Sequence, residues 1–112
     1  MFKKNTALGI NEIICEDLLK NKSDFKIIDV RRDEEFTGEL GHIEGAELRT
    51  LGPDLMDYLN HENKKLQITF VCRSGGRSAQ ATQMAQDLGF TKVSNMIGGM
   101  LEWNRLDLPK SL

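Results

Sequence analysis

The sequence predicts a single α/β domain with a central parallel sheet of about five strands and helices on both faces. Short runs of β-branched and aromatic residues, long enough for buried strands, recur along the chain. Between them lie stretches whose apolar residues repeat at the spacing of an amphipathic helix. Strands that alternate with helices form a parallel sheet that is covered on both sides.

The first half of the chain contributes a predicted edge strand, two further strands and one long helix. Residues 1–9 show no period, so we expect a short tail there that leads to a first edge strand, and a domain that spans residues 10–112. Asn11 is a suitable N-cap for a helix over residues 12–20. The elements that follow are a buried strand from Phe25 to Val30, a short helical turn from Asp33 to Phe36 and a short strand from Ala46 to Arg49.

The second half repeats the alternation. Pro53 suits the first turn of a helix, and Ile68 to Val71 reads as a strand buried on both faces. Ser78 opens a second helix, which Gly89 closes. The apolar residues of that helix, at positions i, i+3, i+4 and i+7, are Ala81, Met84, Ala85 and Leu88. A final strand is predicted from Lys92 to Met96, followed by a helix that runs through Asn104.

Composition argues against several classes of function. The 112 residues include 17 acidic and 15 basic side chains, with no basic block that would indicate a nucleic-acid partner. No apolar run approaches the ~20 residues of a membrane span, and the start of the chain lacks the apolar region of a signal peptide. The two cysteines have no CxxC or metal-ligand spacing, which fits a reducing compartment. We therefore expect a cytoplasmic protein without a metal site.

The chemistry is expected where a buried strand meets the helix that follows it. Cys72 comes directly after the strand from Ile68 to Val71. In open α/β sheets the carboxyl ends of the strands form the crevice in which ligands bind. Cys72 is therefore the candidate nucleophile. The loop residues that follow it are Arg73, Ser74, Gly75, Gly76, Arg77 and Ser78.

This loop predicts an anion site. Gly75 and Gly76 allow positive φ, so consecutive N–H groups can converge on one concavity. The positive end of the following helix dipole and the side chains of Arg73 and Arg77 add to the positive potential. The anion that we expect there is the thiolate of Cys72, with a pKa below the ordinary value of about 8.5.

Several motifs of the chain resemble those of a known family. CRSGGRS after an apolar strand, with IIDVRRDEEF and GHIEGA upstream and IGGMLEW downstream, is similar to the single-domain rhodaneses, which are thiosulfate or persulfide sulfurtransferases. The resemblance covers roughly Ile10 to Pro109 and implies a single rhodanese-like domain. Asp107 stands where the family's tail usually has glycine, and aspartate tolerates the left-handed conformation better than most residues.

The resemblance also implies a reaction. The Cys72 thiolate attacks thiosulfate, or a persulfide on a protein or small molecule, and keeps the outer sulfur as a persulfide. A thiol or cyanide then accepts this sulfur. The amides from Arg73 to Ser78 would hold the persulfide, and the side chains of Arg73 and Arg77 would meet the anionic donor. No cofactor is required.

Two other functions stay open. The first is a sulfur relay or sensor that carries a persulfide between proteins and turns over small donors poorly. The second is a phosphatase-like or arsenate-handling protein, because the same fold hosts such members. Their loops resemble C-x5-R, whereas Cys72 and Arg77 stand in a C-x4-R spacing. The shorter loop favours a single sulfur over a tetrahedral oxyanion.

Four further side chains are candidates for supporting the site, namely Asp29, Arg31, Glu35 and His42. Asp29 and Arg31 are expected at the same edge of the sheet as Cys72. In one interpretation Asp29, Arg31 and Glu35 brace the fold, and in the other Asp29 touches the catalytic loop. A carboxylate beside a thiolate would raise the thiol pKa, which favours bracing. His42 is interpreted as a packed, hydrogen-bonded residue rather than as the base of a Cys/His pair.

Two residues have open roles. Arg77 either binds the donor or pairs inward with an acid and holds the shape of the loop. Cys15 falls within the predicted first helix, beside apolar residues, and is interpreted as a buried structural cysteine, with a resolving thiol as the alternative.

Overall fold

The computed structural model describes all 112 residues, which form one sheet with helices on both faces. The six strands are β1 (Lys3–Asn5), β2 (Ile10–Ile13), β3 (Lys26–Asp29), β4 (Glu47–Leu48), β5 (Ile68–Val71) and β6 (Val93–Met96). Their order across the sheet is β1-β2-β6-β5-β3-β4. Every neighbouring pair is parallel except β1 and β2. The predicted α/β fold is confirmed, and the edge strand β1 runs antiparallel to its neighbour.

Five α-helices connect and cover these strands: α1 (Cys15–Lys20), α2 (Asp33–Phe36), α3 (Pro53–His61), α4 (Gly76–Asp87) and α5 (Gly99–Arg105). Helix α4 begins two residues before the predicted start at Ser78. Gly89 (φ 100°) follows α4 and Asp107 (φ 54°) follows α5 in the left-handed conformation, as the sequence predicted. None of the helices is long and apolar enough to cross a membrane.

The N-terminal region differs from the sequence prediction. Residues 10–13 form a strand rather than the start of a helix, and the helix begins only at Cys15. Ile10 and Ile13 are both buried. Their i, i+3 spacing suits a helix, but it also suits a strand buried on both faces, because residues three apart point to opposite sides. Pairing of this segment with β6 decides between the two.

The predicted tail also contains structure. Lys3–Asn5 pairs with β2 as an edge strand, with Lys3 opposite Glu12. Because these side chains are mostly exposed, they need no apolar period. An edge strand was expected after the tail, but exposed side chains gave no pattern that would place it at residues 3–5. The boundary of the domain at residue 10 stays a prediction.

The sheet separates two hydrophobic cores and carries the candidate site at its edge. Phe70 and Phe90 belong to the core beneath α3 and α4, whereas Trp103 belongs to the core beneath α1 and α5. Strands β3 and β5 are parallel neighbours, with Asp29 opposite Val71. Their carboxyl ends therefore bring the residues after Asp29 and the residues after Val71 to the same edge.

Candidate active site

Cys72 lies at the carboxyl end of β5, where the chain turns into α4. All four residues of β5 are buried, and Cys72 itself is 1% exposed. Gly75 turns the chain with a left-handed conformation (φ 106°), so that α4 begins at the next residue. The sulfur accepts hydrogen bonds from the Gly75 N–H at 3.1 Å and the Ser78 hydroxyl at 3.2 Å. The loop thus directs donors at the sulfur.

These donors change the acidity of the thiol. Burial raises the pKa of Cys72, because a charged sulfur loses its water. The Ser78 hydroxyl and the backbone N–H groups of Ser78, Gly75 and Ser74 outweigh that effect, and the pKa of Cys72 is lowered from its ordinary value. The sulfur also lies near the positive end of α4, a helix of 12 residues. The arrangement favours a thiolate without a neighbouring histidine.

A second helix holds the backbone of the loop from the other side. The N–H groups of Met100 and Leu101, at the start of α5, donate to the carbonyl oxygens of Cys72 (2.9 Å) and Arg73 (3.0 Å). Gly99 makes this approach possible: a Cβ there would lie 2.5 Å from the Cys72 oxygen and would also overlap the Arg73 carbonyl. The IGG motif was recognised in the sequence, but its role in letting α5 hold the backbone of Cys72 and Arg73 was missed. We call this contact the glycine clamp.

Asp29 and Arg31 form a buried ion pair. Their side chains are 1% exposed and approach to 2.8 Å. Arg31 also donates to the backbone oxygens of Glu35 in α2 (3.2 Å) and of Gly41 in the loop after it (2.7 Å), so it connects the end of β3 to both segments. Neither side chain hydrogen-bonds to Cys72. The geometry favours the bracing interpretation.

Arg77 pairs with an acid and makes no hydrogen bond to the Cys72 sulfur. Its two terminal nitrogens donate to the two carboxylate oxygens of Glu35, each at 2.8 Å. The hydrogen bond from Arg77 outweighs the opposing effect of burial and lowers the pKa of Glu35 to about 2. Of the two loop arginines, Arg73 alone is exposed and forms no ion pair. The structure therefore favours bracing by Arg77 and leaves Arg73 free for a ligand.

His42 contacts Phe36, the last residue of α2. Its Nδ1 lies 2.9 Å from the backbone oxygen of Phe36, and its ring stacks on that of Phe36 with centroids 3.9 Å apart. Its backbone pairs with Ser111 in an isolated bridge. These contacts support the interpretation of His42 as a packed residue, and it makes no hydrogen bond to Cys72.

Cys15 is buried on the opposite face of the sheet from Cys72. Burial raises the pKa of its thiol to about 12, with a smaller contribution from the nearby carboxylate of Glu102. The sulfur lies 3.8 Å from the backbone oxygen of Ile97. A thiol that is buried behind the sheet and remains protonated has the properties of a structural cysteine.

Sequence reasoning missed two polar residues of the site, Asn95 and Glu12. The Ser78 hydroxyl lies 2.5 Å from Oδ1 of Asn95, and Nδ2 of Asn95 donates to Glu12 at 3.0 Å. Asn95 lies in β6 and Glu12 in β2, directly opposite each other in the sheet. Both were assigned to elements without a chemical motif, so nothing in the sequence linked them to Cys72.

A cleft of about 370 Å³ opens beside the loop. It lies between α2, the segment that follows α2 and the first turn of α5. Its lining combines the free Arg73 with glutamates and one exposed leucine: Arg31, Glu34, Glu35, Gly38, Glu39, Leu40, Arg73 and Leu101. No group of three or more His, Cys, Asp or Glu side chains is arranged to hold a metal ion.

The titration of the two thiols is the first prediction. We expect Cys72 to ionise below pH ~8.5, the ordinary value, because the donors around it stabilise the thiolate. Ultraviolet thiolate absorbance against pH measures this, with Cys72→Ser as the control that loses the transition. Cys15 should contribute nothing below pH 10, since its pKa is about 12. A Cys72 midpoint at or above ~8.5 would contradict the prediction.

The second prediction concerns the glycine clamp, the close approach of Gly99 to the backbone of Cys72 and Arg73. Gly99→Ala should displace the backbone of Cys72 and raise the thiolate midpoint, because the new Cβ overlaps the carbonyls that α5 holds. Gly9→Ala is the matched control: Gly9 has a similar φ of 71°, against 60° for Gly99, but nothing lies within 4 Å of its Cβ position. Gly9→Ala should lower the stability of the protein and leave the thiolate midpoint of Cys72 unchanged. Equal midpoints in the two variants would exclude the clamp.

Comparison with known proteins identifies the family. The profile of the rhodanese-like domain matches residues 15–106. The chain is 31% identical over 112 residues to thiosulfate sulfurtransferase 16 of Arabidopsis thaliana, covering 90% of each chain. It is 37% identical over 101 residues to the candidate sulfur carrier protein YrkF of Bacillus subtilis, covering 87% of this chain and 52% of that protein.

Solved structures agree. The human single-domain sulfurtransferase TSTD1 superposes with a TM-score of 0.73 at 27% identity, covering 84% of this chain and 95% of that one. The strand, loop and helix that surround Cys72 lie inside the matched residues 15–106. The chain belongs to the rhodanese-like domain family.

Proposed function

We propose that this protein is a sulfurtransferase in which Cys72 carries the transferred sulfur. The observation that supports it most directly is the buried sulfur with a lowered pKa, at hydrogen-bonding distance from the Gly75 N–H and the Ser78 hydroxyl. In the first step the Cys72 thiolate attacks the outer sulfur of thiosulfate. A new S–S bond forms, the S–S bond of thiosulfate breaks, and sulfite leaves with the electron pair.

In the second step an acceptor removes the sulfur. A thiolate or cyanide attacks the outer sulfur of the persulfide, and Cys72 leaves as the thiolate. A thiolate with a lowered pKa is a better leaving group, so the hydrogen-bond donors around Cys72 assist both steps. The backbone N–H groups of the loop hold the negative outer sulfur, as an oxyanion hole holds developing charge.

The position of Arg77 supports sulfur chemistry over phosphate chemistry. In loops that resemble C-x5-R the arginine closes a cradle around a tetrahedral oxyanion. Here the loop is one residue shorter, and Arg77 is paired through both nitrogens with Glu35. The cradle that remains consists of backbone N–H groups and one hydroxyl, a size that suits a single sulfur.

A second candidate is a persulfide relay between proteins. The cleft beside the loop supports it, because Glu34 and Glu39 line it together with the free Arg73. These carboxylates repel a small dianion such as thiosulfate, while an exposed Leu101 offers apolar surface to a larger partner. The similarity to a candidate sulfur carrier points the same way.

The third prediction tests the covalent intermediate. After incubation with thiosulfate, intact-protein mass should rise by about 32 Da, one sulfur, and the gain should disappear on addition of cyanide or a thiol. Cys72→Ser should gain nothing, whereas Cys15→Ser should load normally because Cys15 is buried behind the sheet. Loading by a protein persulfide but not by thiosulfate would favour the relay. Loading by neither would exclude sulfur transfer.

The fourth prediction separates the two arginines. Arg73→Ala should raise the KM for thiosulfate about tenfold and leave stability unchanged, because a charged contact to the donor is lost. Arg77→Ala should lower stability with little effect on KM, because Glu35 loses its partner. The measurements are steady-state kinetics and urea unfolding.

The pH dependence gives a further check on Arg77. Its pairing lowers the pKa of Glu35 from 4.5 to about 2, so the stabilisation is complete above pH 4.5 and is lost as the pH falls toward 2. The stability difference between the wild type and Arg77→Ala should therefore shrink over that window. A large KM increase in Arg77→Ala with unchanged stability would assign Arg77 to the donor instead.

A further inference from the structure

The Ser78 hydroxyl lies between two acceptors. Its oxygen is 3.2 Å from the Cys72 sulfur and 2.5 Å from Oδ1 of Asn95. Ser78 is fully buried and Asn95 is 2% exposed. A serine hydroxyl carries one proton, so it donates to only one of the two acceptors at a time. The Cys72 thiolate and Asn95 therefore compete for the same proton.

Glu12 determines which end of the Asn95 amide faces Ser78. Nδ2 of Asn95 donates to Oε2 of Glu12 at 3.0 Å, and the two residues are opposite each other in the β2–β6 pair. A carboxylate accepts hydrogen bonds and does not donate them, so it holds the NH₂ end. The oxygen end of the amide is then directed at Ser78.

We propose that Asn95 is a positioning residue for sulfur transfer and acts through Ser78 as its second acceptor. The inference rests on the proposed function. While Cys72 is a thiolate, Ser78 donates to the sulfur. When the donor's outer sulfur bonds to Cys72, the electron pair of the broken bond leaves with the departing group. The electron pair of the Cys72 thiolate becomes the new S–S bond, so the inner sulfur is neutral and the outer sulfur carries the negative charge of the persulfide.

The inner sulfur of the persulfide is a weak acceptor, and the Ser78 proton needs another partner in a buried place. Rotation of the hydroxyl toward Oδ1 of Asn95 supplies one, with no proton leaving Ser78. Both states of Cys72 thus have a fully hydrogen-bonded Ser78. Asn95 lowers the free energy of the persulfide state relative to the thiolate state.

Other charged groups near Cys72 are paired among themselves. Arg77 on α4 pairs with Glu35 on α2, and Asp29 at the end of β3 pairs with Arg31. None of the four hydrogen-bonds to Asn95. A substitution at Asn95 therefore leaves these four charges in place, and removes the second acceptor of Ser78 together with the hydrogen bond to Glu12.

The test is a double-mutant cycle on the thiolate titration of Cys72 in the unloaded protein. Asn95→Leu removes the competing oxygen, so the midpoint should fall and the thiolate fraction below the midpoint should rise about threefold to tenfold. Ser78→Ala should raise the midpoint. The double variant should match Ser78→Ala, because Asn95 acts only through the hydroxyl. An Asn95→Leu shift that persists without Ser78, or no shift at all, would overturn the proposal.

Ser94→Ala is the matched control. Ser94 is the neighbour of Asn95 in β6, and its buried hydroxyl pairs with Thr69 at 2.9 Å on the opposite face of the sheet. The variant loses a buried hydrogen bond without touching Ser78. It should lower the melting temperature and leave the Cys72 midpoint unchanged. A midpoint shift in Ser94→Ala as large as that in Asn95→Leu would count against a specific role.

Glu12→Gln serves if Asn95→Leu does not fold, because Glu12 is only half-buried. Loss of the Glu12 charge lowers the thiolate midpoint of Cys72 directly, whether or not Ser78 is present. Glu12→Gln also frees the Asn95 amide to turn its oxygen away from Ser78, and this second effect on the midpoint requires Ser78. The fall should therefore be larger in the presence of Ser78, and equal falls in the two backgrounds would overturn the proposal.

The outcome is separable from that of the proposed function. Sulfur loading with an unchanged Asn95→Leu titration would refute the positioning role and keep the sulfurtransferase. A Ser78-dependent shift without loading from any donor would support the coupling of Asn95 to the thiolate and refute sulfur transfer.

Discussion

A buried sulfur anion has to be stabilised by hydrogen-bond donors that replace water, and the site is built around this requirement. Cys72 is 1% exposed, yet its pKa is lowered. The loop meets the requirement with the N–H of Gly75 and the hydroxyl of Ser78, both of which depend on the sharp turn into α4. The strand, the turn and the start of the helix therefore act as one unit.

The same loop is held from outside by α5. Met100 and Leu101 donate to the carbonyls of Cys72 and Arg73. The N–H group of Ser74, which belongs to the same peptide as the Arg73 carbonyl, is one of the donors that lower the pKa of Cys72. Gly99 permits the close approach, since any side chain there would overlap the loop. Two helix starts thus converge on one short segment. This convergence fixes the direction of the hydrogen-bond donors around Cys72 before any ligand binds.

The charges around the site are mostly neutralised within the protein. Asp29 pairs with Arg31, and Glu35 pairs with Arg77 through two hydrogen bonds. Because a carboxylate near the sulfur would raise its pKa, these pairs protect the thiolate as well as the fold. Arg73 is left as the exposed cation of the loop, beside the glutamates of the cleft. The balance between these two signs of charge sets the electrostatic potential in the cleft.

The sequence by itself determined the strand before Cys72, the glycine turn and the following helix, because these depend on neighbouring residues. The N-cap at Asn11 predicted a helix over residues 12–20, but the first part is a strand, since pairing with β6 outweighs the local preference. Only the tertiary structure decided the partner of Arg77, which is 42 residues away, and the link from Ser78 through Asn95 to Glu12. Such polar contacts join distant segments through the packing of the sheet, and no local pattern encodes them.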